Sequence, residues 1–343
     1  MEVGQTELSG DLVAALRVAG VAFLLTLIAG HYWVRWLATT PFGRPGGAAE
    51  SAHQGSPTGI PTLGGLLIAA SVVVMTLLVQ PLGGPLLLPV AVVIAYALLG
   101  ACDDVLSMRA AARSLGGPAW LTLGGHLGIA LLAALGLYLP PPYGLHQPTL
   151  VQLPFVGGWN LGAWALPLAL LIIVATAQAV TLTDGPDGLA SWLLVVAFAA
   201  YGVVTLLCAP QLRVLSPFCF TLVGACAAFA WYNAAPAQLG LGASGALALG
   251  AALAMVALLT QQWLLLPIIG AVFVLEVAVL LPSRYGARPW RDAGGREQRA
   301  PLHQHLERAG WSAMQVMQRL VLLGLIAALV GIALALVTGE APG

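Results

Sequence analysis

Apolar runs roughly 20 residues long recur along the chain, at about 12–31, 62–80, 85–102, 119–139, 161–180, 189–208, 215–234, 244–261, 263–281 and 316–337. A run of that length crosses a bilayer as a helix, so the pattern predicts about ten transmembrane helices. Proline and glycine punctuate most of the gaps, at Pro81 to Pro85, Pro140 to Pro142, Pro236 and Pro282. The first run does not read as a signal peptide. Acidic Glu2, Glu7 and Asp11 stand where a basic segment belongs, and Arg35 follows. No internal repeat breaks the series, so residues 1–343 read as one transmembrane domain. The longest polar stretch, about 283–313, reads as a loop with some helix of its own.

Composition agrees with that reading and excludes others. The chain is 59% hydrophobic and 8% charged, with a mean hydropathy of +0.93. Soluble domains carry about a quarter charged residues, so this chain cannot solvate a globular surface. Four cysteines are too few for a disulfide scaffold and lack metal-ligand spacing. A net charge of zero gives no footprint for nucleic acid.

Charge also orients the helices. All 13 basic residues are arginine. Arg35 and Arg44 follow the first run, Arg109 and Arg113 the third, and Arg284, Arg288, Arg291, Arg296, Arg299 and Arg308 the ninth. The opposite loops hold only Arg213. The positive-inside rule places the arginine-bearing loops in the cytoplasm and both termini on the other, periplasmic side.

The conspicuous polar clusters fall on that cytoplasmic side. Asp103-Asp104 ends the third run, where two carboxylates repel each other at the negative end of a helix dipole. It reads either as a solvated helix end paired with Arg109 or as a magnesium site completed by substrate phosphates. Thr183-Asp184-Gly185-Pro186-Asp187-Gly188 follows the fifth run. Asp184 or Asp187 there is an N-cap for the sixth helix or part of a polar ligand site. Trp231-Tyr232-Asn233 leads into Gly240-Leu241-Gly242-Ala243-Ser244-Gly245, a loop that offers N–H groups to phosphate or small residues to packing. His303 and Glu307 share a helical face, whereas His303 and His305 diverge, which argues against zinc. Arg299 and Arg308 are candidate anion contacts beside them. Glu276 and His126, inside runs, read as polar contacts between helices. Clustering on one face, rather than at mid-membrane, argues against a transporter.

Pro61-Thr62-Leu63-Gly64-Gly65, Asp103-Asp104, Leu182 to Ala190, Trp231 to Ala234 and Pro301-Leu302-His303-Gln304-His305 occur in this order. In these motifs and their spacing the chain resembles the polyprenyl-phosphate sugar-1-phosphate transferases along nearly its whole length. The histidine segment followed by Gly310-Trp311 points to their phospho-N-acetylmuramoyl-pentapeptide transferase (translocase I) branch. The resemblance implies ten transmembrane helices in a bacterial inner membrane and a cytoplasmic Mg²⁺-dependent site. It implies transfer of a phospho-sugar from a UDP-linked sugar to undecaprenyl phosphate with release of UMP, in peptidoglycan synthesis. A homodimer is compatible with it. By position, Asp103, Asp104, Asp184, His303 and His305 are the expected catalytic residues, with Asp103 and Asp104 as metal ligands. Asp187 and Asn233 are the expected nucleotide contacts.

The chain also departs from the family pattern. The aspartate of Gly-Asp-x-Gly-Ser is Ala243, and two expected lysines are Ser107 and Thr122. Two expected asparagines are Gln178 and Thr181, an expected aromatic residue is Gly240, and the middle histidine is Gln304. A chain that merely avoids lysine would substitute arginine and keep the charge. Two readings follow. One is a transferase with a rearranged metal site, and the other is a catalytically impaired relative that binds undecaprenyl phosphate or an envelope-synthesis partner.

Overall fold

The computed structural model describes residues 2–40, 60–79, 84–113, 119–153, 157–185, 187–208, 212–285, 290–291, 297–298 and 300–339. Helices dominate it: α1 (Glu2–Thr39), α2 (Gly64–Val79), α3 (Leu87–Arg113) and α4 (Ala119–Gly136), followed by α5 (Ala165–Thr183), α6 (Leu189–Cys208), α7 (Leu215–Asn233) and α8 (Gly242–Leu259). Next come α9 (Leu266–Ile269), α10 (Ala271–Tyr285), α11 (Leu302–Arg308) and α12 (Ala313–Gly339). Among the described residues, seven spans are long and apolar enough to cross a membrane, or eight if the bent α9–α10 pair is one span. α2 and the apolar part of α4 are shorter. The chain is thus a multi-pass membrane protein.

α8 forms the centre. Its window is 89% buried against 22% for α1 and 28% for α12, whose outer faces remain apolar and exposed. Glycine and alanine make up most of α8, so the backbones of α2, α3 and α5 pack closely around it. His126 supplies a polar crosslink as expected: Tyr96 Oη donates to the His126 carbonyl at 3.1 Å and lies 2.9 Å from its Nδ1.

Two features differ from the apolar pattern. The ninth run is broken rather than continuous, because α9 and α10 meet at a 77° bend. Pro267 lies at the start of α9 and Gly270 ends it, and neither sustains a straight helix, although both sit inside an apolar run. Second, two strands lie between the fourth and fifth runs. β1 (Leu150–Leu153) pairs antiparallel with β2 (Gly157–Asn160), and Val151 is buried under them. A second short pair joins β3 (Trp290–Arg291) to β4 (Glu297–Gln298).

The candidate site at one end of the helix bundle

Hydrogen bonds bring the polar motifs to one end of the bundle, although they are far apart in sequence. The Gly64 and Gly65 N–H groups donate to the carbonyls of Gly240 and Leu241, and the Gly240 N–H donates back to Pro61. This backbone seam explains the glycines of both segments, because the start of α2 and the entry to α8 touch main chain to main chain. Gly242 then turns with a φ of +69°, and a side chain there would overlap the Thr62 carbonyl.

Asp104 closes the entry to α8. It is 8% exposed, and its carboxylate accepts the N–H groups of Ala243 at 2.9 Å and Ser244 at 3.1 Å. The Gly242 backbone lies close to Asp184 and favours its charged form. Two of the four unpaired N–H groups that every helix N-terminus exposes are therefore taken by one carboxylate of α3. The glycine-rich loop is thus not open to phosphate through those groups. Its backbone is used inside the protein.

Asp103 is half-buried and accepts the Thr122 hydroxyl at 2.9 Å. Thr122 lies near the place where the resemblance leads one to expect a lysine, and it supplies an uncharged hydrogen bond there. Ser107, at the other such place, is exposed. Arg109 and Arg299, considered as partners above, have side chains outside the described residues, and Arg308 is exposed.

Burial pushes the Asp184 carboxyl up to about 7, and the neighbouring carboxylates of Asp104 and Asp187 add to that rise. The Gly242 N–H and His303 pull in the other direction. Neither Asp184 nor Asp187 makes the expected N-cap. Asp187 instead accepts the Ala237 N–H at 3.2 Å. Asn233 takes over the cap from a different helix. Its Oδ1 accepts the Gly188 N–H and the Ser191 hydroxyl, both at 3.0 Å, and its Nδ2 donates to the Leu239 carbonyl at 3.0 Å. Asp187 and Asn233 therefore sit together and brace the α7–α8 connection against the start of α6.

His303 is buried against Glu276, whereas the His305 Nδ1 turns back to the Pro301 carbonyl at 2.9 Å. The two imidazoles diverge as their spacing predicts. Glu276 makes the expected interhelical contact, but motif reading did not identify its partner. A solitary carboxylate in an apolar run was the only signal.

Among the described residues, no three His, Cys, Asp or Glu side chains converge as a ready-made metal cage. Asp103, Asp104, Asp184 and Asp187 nevertheless stand close enough for Asp184 to feel Asp104 and Asp187, and Asp104 to feel Asp103. This accumulation of negative charge suits a cation whose remaining ligands are phosphate oxygens. Mg²⁺ commonly binds in that way, through one or two carboxylates.

Residues 86–261 match the model of glycosyl transferase family 4. The chain is 47% identical to the phospho-N-acetylmuramoyl-pentapeptide-transferase of Chloroflexus aurantiacus over 99% of its own length and 94% of that protein. It is 35% identical to the protein of the same name from Moorella thermoacetica, over 94% of this chain and 98% of that one. Against that of Desulfotalea psychrophila it is also 35% identical, over 93% and 92%.

Proposed function

Because the chain belongs to glycosyl transferase family 4, in its phospho-N-acetylmuramoyl-pentapeptide transferase branch, we propose that it moves phospho-MurNAc-pentapeptide from its UDP carrier to undecaprenyl phosphate. The observation that carries this is 47% identity to a transferase of that name across nearly the whole chain. The convergence of all five motifs on one end of the bundle supports it further. That end lies at the cytoplasmic face of a bacterial inner membrane, both termini are periplasmic, and the chain crosses about ten times.

In this reaction a phosphate oxygen of the lipid attacks the sugar-linked phosphorus. The bond to the bridging oxygen breaks, and UMP leaves with that oxygen. Asp103 and Asp104, with phosphate oxygens of the substrates, would hold Mg²⁺, which would supply charge stabilisation at the diphosphate. Asp104 is fixed by two α8 N–H groups, so it is oriented before any ligand arrives. Asp103 faces the α4 hydroxyl of Thr122 and retains an oxygen that makes no described hydrogen bond. Asp187 and Asn233 shape the nucleotide end by bracing the loops around it.

One observation favours a second reading, a catalytically impaired relative that binds undecaprenyl phosphate. The position of an expected aspartate is Ala243, whose N–H bonds Asp104 and whose methyl offers no ligand. Magnesium-dependent UMP release from UDP-MurNAc-pentapeptide, with undecaprenyl phosphate in detergent, decides between them. The transferase reading expects release that falls at least about 100-fold in Asp103→Asn. No release, with undecaprenyl phosphate still bound, establishes the second reading.

A further inference from the structure

Glu276 is a fully buried carboxylate in the apolar helix α10. A carboxylate so placed is costly and is retained where a partner or a role offsets the cost. Its Oε1 accepts two bonds from one residue, the His303 N–H at 3.2 Å and the His303 ring at Nδ1, also 3.2 Å. Oε2 is buried with no hydrogen-bond partner among the described residues. Since Oε1 accepts the backbone N–H, it meets the ring as an acceptor too. The ring proton therefore belongs on Nδ1, and Nε2 carries the lone pair.

The other end of the ring is equally constrained. A Cβ built on Gly185 would overlap His303 Nε2. Nε2 thus faces the Asp184–Gly185 turn at van der Waals range, and only glycine leaves room for it. The bond to the His303 N–H also ties the first turn of α11 to α10. Ring direction and helix position are set by the same oxygen.

We propose that Glu276 is a positioning residue of the transferase site, fixing the tautomer and direction of His303 so that a bare Nε2 is presented to the Asp184–Gly185 turn. A ring held in this way takes or gives one proton at Nε2 without turning, and the carboxylate behind it stabilises the imidazolium. The role in transfer rests on the function proposed above, but the placement of the ring does not.

The test uses the full-length protein in detergent, labelled with ¹⁵N-histidine. His303→Asn identifies the His303 signals among those of the six histidines. Wild type is expected to show a protonated Nδ1 and a bare Nε2 above the pH at which the ring is charged. Glu276→Leu should lose that preference and lower kcat for UMP release by about 10-fold, with a smaller change in KM. Glu276→Gln keeps an accepting oxygen and should keep the tautomer and most of kcat. Gly185→Ala, read independently, should shift the His303 signals because its methyl displaces the ring. The proposal is overturned if the His303 signals stay as in wild type in Glu276→Leu or, should that variant not fold, in Gly185→Ala. It is also overturned if the tautomer changes while kcat does not. Expected tautomer changes in a protein that releases no UMP before mutation uphold the ring's placement and refute the transferase reading instead.

Discussion

At Ala243 one methyl group stands where a carboxylate is expected, and its surroundings predict what restoring that carboxylate does. Its N–H bonds Asp104, and Asp184 lies beside the neighbouring Gly242. Ala243→Asp therefore adds charge to an already crowded acidic cluster. Thermal unfolding should show a lower Tm than wild type without divalent cation, recovered by millimolar Mg²⁺. UMP release should rise about tenfold or more, since a carboxylate that helps hold Mg²⁺ at the diphosphate contributes several kcal/mol and each 1.36 kcal/mol is about tenfold. Asp184 offers a second test. Its folded pKa is raised from 3.8 to about 7, so the folded protein holds the proton more tightly than the unfolded chain. Stability from this group is present below pH 4, declines as pH rises towards 7 and stays lost above it. Asp184→Asn should abolish that decline and raise the Tm at pH 8 while removing transfer activity.

Between elements, the bracing at Asn233 is the most exposed to test. Asn233→Ala would leave the Gly188 N–H, the Ser191 hydroxyl and the Leu239 carbonyl without this partner. A loss of about 3 kcal/mol is expected in denaturant or thermal unfolding, because each buried polar group left unpaired costs about 1–3 kcal/mol. Nucleotide affinity should fall with it, although Nδ2 and Oδ1 both point into the protein. This brace was not legible in the sequence. Asn233 stood out within its motif, but its partners are the Gly188 N–H and the Ser191 hydroxyl, 45 and 42 residues upstream, and the Leu239 carbonyl, none of which its motif marks. The helices were legible, because an uninterrupted apolar run has few other solutions in a membrane. The bend at Gly270 was not, since hydrophobicity runs straight through Pro267 and Gly270 and only backbone geometry breaks there. Similarly, the acidic pair at 103–104 was legible as chemistry. That Asp104 spends both oxygens on the α8 entrance was visible only once the helices were packed.

For the whole molecule, the sidedness proposed above rests on arginine alone, and labelling checks it. In a protein whose four native cysteines are replaced, His146→Cys should react with an impermeant thiol reagent from outside the cell. Arg308→Cys should react only after the membrane is opened. The reverse pattern would invert the topology and place the site in the periplasm. The long-range seams carry a further consequence, for synthesis. The bonds from Asp104 to the start of α8 join residues 139 and 140 apart, and the Gly185 turn meets a ring from α11. A chain leaving the ribosome in order has α2 and α3, with the acidic end of α3, in the bilayer long before their partners exist. Until α8 arrives, the Asp104 carboxylate has no helix end to hold, and until α11 arrives the Asp184 turn lacks its imidazole. Assembly of the site is therefore one of the last events in biogenesis, and a chain cut short after α10 should carry every carboxylate of the site and still be unfinished.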